Sequence, residues 1–145
     1  MTTTLYETDF YAWSQRQTAL LRAEEFEQVD WDNLIEEIES LGKSQQSEVE
    51  SRLTVIIMHL LKWCYQPGKR SRSWRVTIGT QRIDLADLLS KNPTLRTQLA
   101  EFVADRYPNA VKKAALETGL ERKHFPAECP WTAAQIMDEE FWPEG

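Results

Sequence analysis

His59 and Lys62 stand three residues apart in a strongly apolar helical stretch, so one helix face carries both, with Gln66 about one turn further on. A histidine titrates near neutral pH and can exchange protons, while a lysine can stabilise a phosphate or an oxyanion. The pair therefore has the ingredients for acid–base chemistry on a phosphodiester, and both residues are candidate catalytic groups. The competing role is structural: a histidine near a helix C-terminus favoured by the dipole, beside a solvated lysine.

Just downstream, Lys69, Arg70, Arg72 and Arg75 interleave with Trp63, Tyr65 and Trp74, and Arg82 follows. Guanidinium groups grip phosphates with paired N–H donors, and aromatic rings stack on bases or other flat groups. Lys69, Arg70, Arg72, Trp74, Arg75 and Arg82 are accordingly the candidate ligand-binding residues, with RNA or another polyanion as the ligand. The spacing matches no named nucleic-acid module, and the same arginines can stack on tryptophans within the fold.

Other chemistries find less support. His59, Cys64, His124 and Cys129 are four potential metal donors, but their spacing is not that of a zinc finger or ribbon, and no metal or cofactor is expected. Glu36 with Glu39, and Asp84 with Asp87, place carboxylate pairs on helix faces, where such residues are ordinarily solvated. No glycine-rich phosphate loop and no GxSxG nucleophile elbow occurs.

The charge is distributed unevenly. The formal net charge of −6 argues against general affinity for nucleic acid or an anionic membrane, yet residues 62–82 carry six bases and no acid. From Glu24 to Glu50 the balance reverses, with ten acids against one base, Lys43. The acidic and basic stretches can face each other, or each can face solvent or a partner.

These side chains must be positioned by helices. Thr8 or Asp9 caps a first helix expected to reach about Phe26, with Phe10, Trp13, Leu20 and Ala23 at helical spacing. A second is expected from Asp30–Asn33 to Gly42, and a central third from Ser44 to about Tyr65 through Val49, Leu53, Ile56, Ile57, Leu60 and Leu61. Pro67 and Gly68 open a basic loop, after which a helix from Ser73 or Trp74 should stop before Asn92-Pro93. Asn92 is expected to cap the next helix, Pro108 to kink or restart it, and Gly119 to end it. Residues 125–131 should be irregular, and Thr132 with Gln135 forms a capping box for a last helix through Glu140.

With 145 residues, the chain is the size of one ordinary domain, and the expected class is all-α: an antiparallel bundle of four or five main helices with a short C-terminal helix. Two cysteines without a CxxC argue against a disulfide-stapled secreted scaffold. The N-terminal stretch lacks a basic-then-apolar leader and no apolar run is long enough to span a membrane, so a cytoplasmic protein is expected.

Several blocks carry a family resemblance: Tyr6-Glu-Thr-Asp-Phe-Tyr-Ala-Trp13, Asp32-Asn-Leu-Ile-Glu-Glu-Ile-Glu-Ser-Leu-Gly42, His59-Leu-Leu-Lys-Trp63, and Ser73-Trp74 followed by Gln81-Arg82. With Asn92-Pro-Thr-Leu95, Tyr107-Pro-Asn-Ala110 and Phe125-Pro-Ala-Glu-Cys-Pro130, nearly the whole chain resembles domain-of-unknown-function family 29. The resemblance implies a single helical domain of bacterial, often cyanobacterial, origin, and transfers no reaction or catalytic residue. The reading that best fits the residues is a noncatalytic module that binds a nucleic acid or a protein partner through residues 62–82. The alternative is a metal-independent ribonuclease: His59 would transfer protons, Lys62 with Arg72 or Arg75 would stabilise the phosphate, and Trp74 would stack on a base.

Overall fold

Asp9, Ser71 and Thr132 each accept a hydrogen bond from a backbone N–H three residues ahead, and each starts a helix. They punctuate a computed structural model that describes residues 4–144. The first three residues, part of the stretch searched above for a leader, lie outside it. The class is all-α, with no strand among the described residues. In order the helices are α1 (Leu5–Thr8), α2 (Phe10–Arg22), α3 (Trp31–Tyr65), α4 (Arg72–Lys91), α5 (Pro93–Thr97), α6 (Leu99–Thr118) and α7 (Ala133–Met137). Four of them, α2, α3, α4 and α6, are the main helices, and α7 is the short C-terminal one.

The chain divides into two compact units, residues 1–44 and 45–145, with the boundary inside α3. In the first unit, Tyr6, Phe10 and Trp13 pack their rings together, and Trp13 Nε1 donates to Asp30 at 3.0 Å. The hydrogen bond from Asn33, with that from Trp13, holds the Asp30 carboxyl below its ordinary pKa despite some desolvation. Tyr6 donates its hydroxyl to Glu37, a bond that pushes the phenol up to about 12.

In the second unit, α3 packs against α4 and α6. Leu53, Ile56, Ile57, Leu60 and Leu61 of α3 meet Ile78, Leu85 and Leu89 of α4 and Phe102, Val103 and Ala110 of α6, with Ile136 of α7 closing the cluster. Each such aliphatic side chain contributes about 1.5–3 kcal/mol on full burial. This apolar stripe holds the C-terminal turns of α3, and with them His59, Lys62 and Trp63, in one place.

Several expected boundaries are corrected. Gly42 does not end a helix, because α3 runs through it: its backbone is not left-handed, and no proline follows to stop the chain. The first helix stops at Arg22 rather than Phe26, where Glu24 takes a left-handed φ of 59°. Helix α4 begins one or two residues early, at Arg72. Asn92 takes the N-cap position with Pro93 opening the helix, as expected, but its side chain makes no capping bond: its amide donates back to Leu88 O at 2.9 Å and to Gln45 at 3.2 Å. The helix after Pro93 breaks at Gln98, and α6 continues through Pro108 without restarting. Buried Tyr107, Ala110 and Val111 flank that proline and anchor both sides, while exposed Ala104, whose carbonyl loses its donor, can bond water. Gly119 ends α6 as expected, at φ 77°, and α7 stops at Met137.

Candidate functional site

Pro67 ends α3 and turns the chain sharply, so that Lys69–Arg75 comes back past the last turn of α3. Arg70 Nε donates to the carbonyl of Trp63 at 2.8 Å, which fixes the loop against the helix it has just left. Ser71 then caps α4, placing Arg72 in its first turn and Arg75 one turn along.

The cations and rings form an alternating ladder. The Arg70 guanidinium lies 4.9 Å from the Trp63 ring centre; that of Arg75 lies 5.4 Å from both Trp63 and Trp142; that of Arg82 lies 5.4 Å from Trp142. The two indoles sit 4.7 Å apart, tilted by 46°. Cation–π attraction of this kind contributes about 0.5–2 kcal/mol per pair, more as water is excluded. It orients a guanidinium while leaving its N–H edges free for an anion.

The ladder divides into a surface end and an interior end. Arg72 and Arg75 are exposed and Arg70 half-buried, and among the described residues of the second unit none of the three has a carboxylate partner. With Trp63 and Ser71 they line an open groove of about 460 Å³. Lys69 is exposed beside it. Arg82, grouped with the ligand-binding cations from sequence, is only 1% exposed. Its Nε donates to Ile136 O at 2.7 Å and its Nη2 reaches Gln135 O at 3.5 Å, while Nη1 has no partner among the described residues. Burial lowers its pKa, partly countered by Asp138 and Glu139. Arg82 thus ties the C-terminal segment to α4, and through Trp142 it supports the ladder from inside.

The His59–Lys62 pair takes a different form from the one expected. Lys62 is 6% exposed, its Nζ 4.7 Å from the Trp74 ring centre and 3.5 Å from Glu117 of α6. Its charge is therefore answered within the protein. His59 Nδ1 lies 2.9 Å from Val55 O, so this nitrogen carries the proton and donates, leaving Nε2 as the acceptor. Desolvation holds its pKa below the ordinary value, opposed by the Val55 bond, and the ring is neutral at pH 7. Nothing brings His59 into the arginine groove, whose lining is Trp63, Arg70, Ser71, Arg72 and Arg75.

Two contributors had no sequence signal: Trp142, nearly eighty residues after Trp63, and Glu117, one acid among many on an amphipathic helix. Cys64 and Cys129 are both free thiols. Among the described residues, no group of three or more His, Cys, Asp or Glu side chains is placed to hold a metal, and no helix is long and apolar enough to cross a membrane.

The family model described as "Domain of unknown function DUF29" matches residues 5–142, nearly the whole chain, as the blocks around Trp13, Trp63 and Pro126 lead one to expect. The chain belongs to the DUF29 family. No curated protein and no solved structure matches it. Membership of DUF29 assigns no reaction, so the groove and ladder of this chain are the basis on which a function is argued.

Proposed function

We propose that this DUF29 chain is a noncatalytic module that binds RNA or another phosphodiester polyanion in the groove formed by Trp63, Arg70, Ser71, Arg72 and Arg75. The observation that carries this reading is a groove lined by three guanidiniums, two of them, Arg70 and Arg75, oriented by the Trp63 indole, and none answered by a carboxylate among the described residues of its own unit. Arg52 and Arg106 of the same unit, by contrast, are paired, the first with Glu48 and Asp84 and the second with Glu50.

Trp63 is only 7% exposed, with arginines and a second indole against it, so it orients cations and does not offer a face to a base. The groove therefore reads phosphate and tolerates any base. Three phosphates neutralised on a single strand give a salt slope of about −2, and affinity falls about 20-fold between 50 and 200 mM salt. Fluorescence anisotropy with a labelled uridine oligonucleotide measures this directly. Absence of binding at the lower salt, or an unchanged slope for Arg70→Ala plus Arg72→Ala, removes the proposal.

A further inference from the structure

A second surface lies in the first unit, on the N-terminal turns of α3. Trp31, Ile35, Ile38 and Leu41 are large apolar residues, and all are exposed, Ile38 at 60% and Leu41 at 68%. At about 100° per residue they fall within an arc of about 120°, the width of a face that ordinarily packs on another helix. The Phe26 ring stands 6.4 Å from that of Trp31, whose Nε1 donates to Phe26 O at 2.9 Å, so the stripe continues onto a fixed aromatic at its N-terminal end. Gly42 lies on the same arc with open space where a Cβ would be, which lets a partner backbone approach closely.

The rim of this stripe identifies what covers it. Residues 24–42 contain eight acids and no base. Glu37 accepts from Tyr6 on one flank, whereas Asp32, Glu36 and Glu39 on the other have no hydrogen-bond or ion-pair partner among the described residues of the first unit. A second copy docked face to face would set these carboxylates against their own equivalents, and an anionic lipid surface would be repelled in the same way. A cationic amphipathic helix satisfies both parts at once: its apolar side covers the stripe, and its lysines or arginines meet Asp32, Glu36 and Glu39.

We infer that the exposed face Trp31–Leu41 is the docking site for a basic amphipathic helix of a partner protein. The face shares no residue with the arginine groove, so the inference stands independently of RNA binding. Its test uses the full chain and a helical leucine–lysine peptide of about eighteen residues, with an otherwise identical leucine–glutamate peptide as control.

Isothermal titration is expected to show binding of the lysine peptide and none of the glutamate peptide. Ile38→Ser plus Leu41→Ser, which leaves every charge in place, should weaken the complex at least tenfold, and Glu36→Gln plus Glu39→Gln should weaken it while reducing its salt dependence. Arg70→Ala plus Arg72→Ala should leave it unchanged. All four altered side chains of the first two variants are on this face, and circular dichroism checks that helix content is retained. Equal affinity for the Ile38/Leu41 variant would reduce the attraction to general charge and overturn the inference. So would a homodimer in sedimentation that this variant dissociates, because the face would then belong to a second copy.

Discussion

Replacing Arg82 separates its role in the fold from any role in binding. The guanidinium donates a charge-assisted bond to Ile136 O at 2.7 Å and rests against Trp142, terms worth about 1.5–3 and about 1 kcal/mol. Against these stands the unpartnered Nη1, a buried donor that costs about 1–3 kcal/mol. Arg82→Met keeps most of the side-chain volume and abolishes all three terms, while leaving Ile136 O without this donor, so a net loss of about 2 kcal/mol is expected. Arg82→Ala also leaves a cavity, and its loss should reach about 4 kcal/mol. Urea denaturation gives the global values, and hydrogen-exchange mass spectrometry locates the effect: protection should fall first over residues 133–142, with residues 49–61 of α3 retained. A methionine variant as stable as the parent, with unchanged exchange over 133–142, would refute the argument that the guanidinium holds the C-terminal segment.

Gly42→Ala should stabilise the chain by about 0.5–1 kcal/mol in the same urea assay, because the position is helical and a Cβ there meets nothing within 4 Å. A loss of stability would mean that α3 is not continuous there. His59 gives a pH signature of known sign. Burial keeps its folded pKa below the ordinary 6.5, so the unfolded chain takes up the proton first. Its contribution is complete above about 6.5 and is lost as the pH falls through the folded value. Urea midpoints at pH 7.5 and 5.5 should differ less in His59→Gln than in the parent, and an equal difference would contradict the assignment. The same variant should keep its RNA affinity, since His59 is not part of the groove lining.

The helical class and the caps at Asp9 and Thr132 were legible because they depend on local chemistry, and the period of Val49–Leu61 admits only one apolar face; Ser71, an equally good N-cap residue, lay inside the stretch read as a loop. The failures have local causes too. Gly42 reads as a stop, yet glycine is tolerated inside a helix when flanking turns are good formers. Glu24 supplies the left-handed turn that a glycine would have advertised. Within the candidate site, the Arg/Trp interleaving of residues 63–75 was visible as a pattern, whereas Trp142, which completes the ladder, carried no signal. What sequence could not supply was depth: Arg72 and Arg82 look alike in a string, but Arg82 faces the carbonyls of α7 and Arg72 faces solvent. Lys62 likewise found Glu117, a partner 55 residues away.

The most direct measurement is the salt dependence of uridine-oligonucleotide binding in the parent chain and in Arg70→Ala plus Arg72→Ala. A slope of about −2 is expected in the parent, falling to about −0.7 when two of the three phosphate contacts are removed. Identical slopes, or no binding by the parent at 50 mM salt, would contradict it.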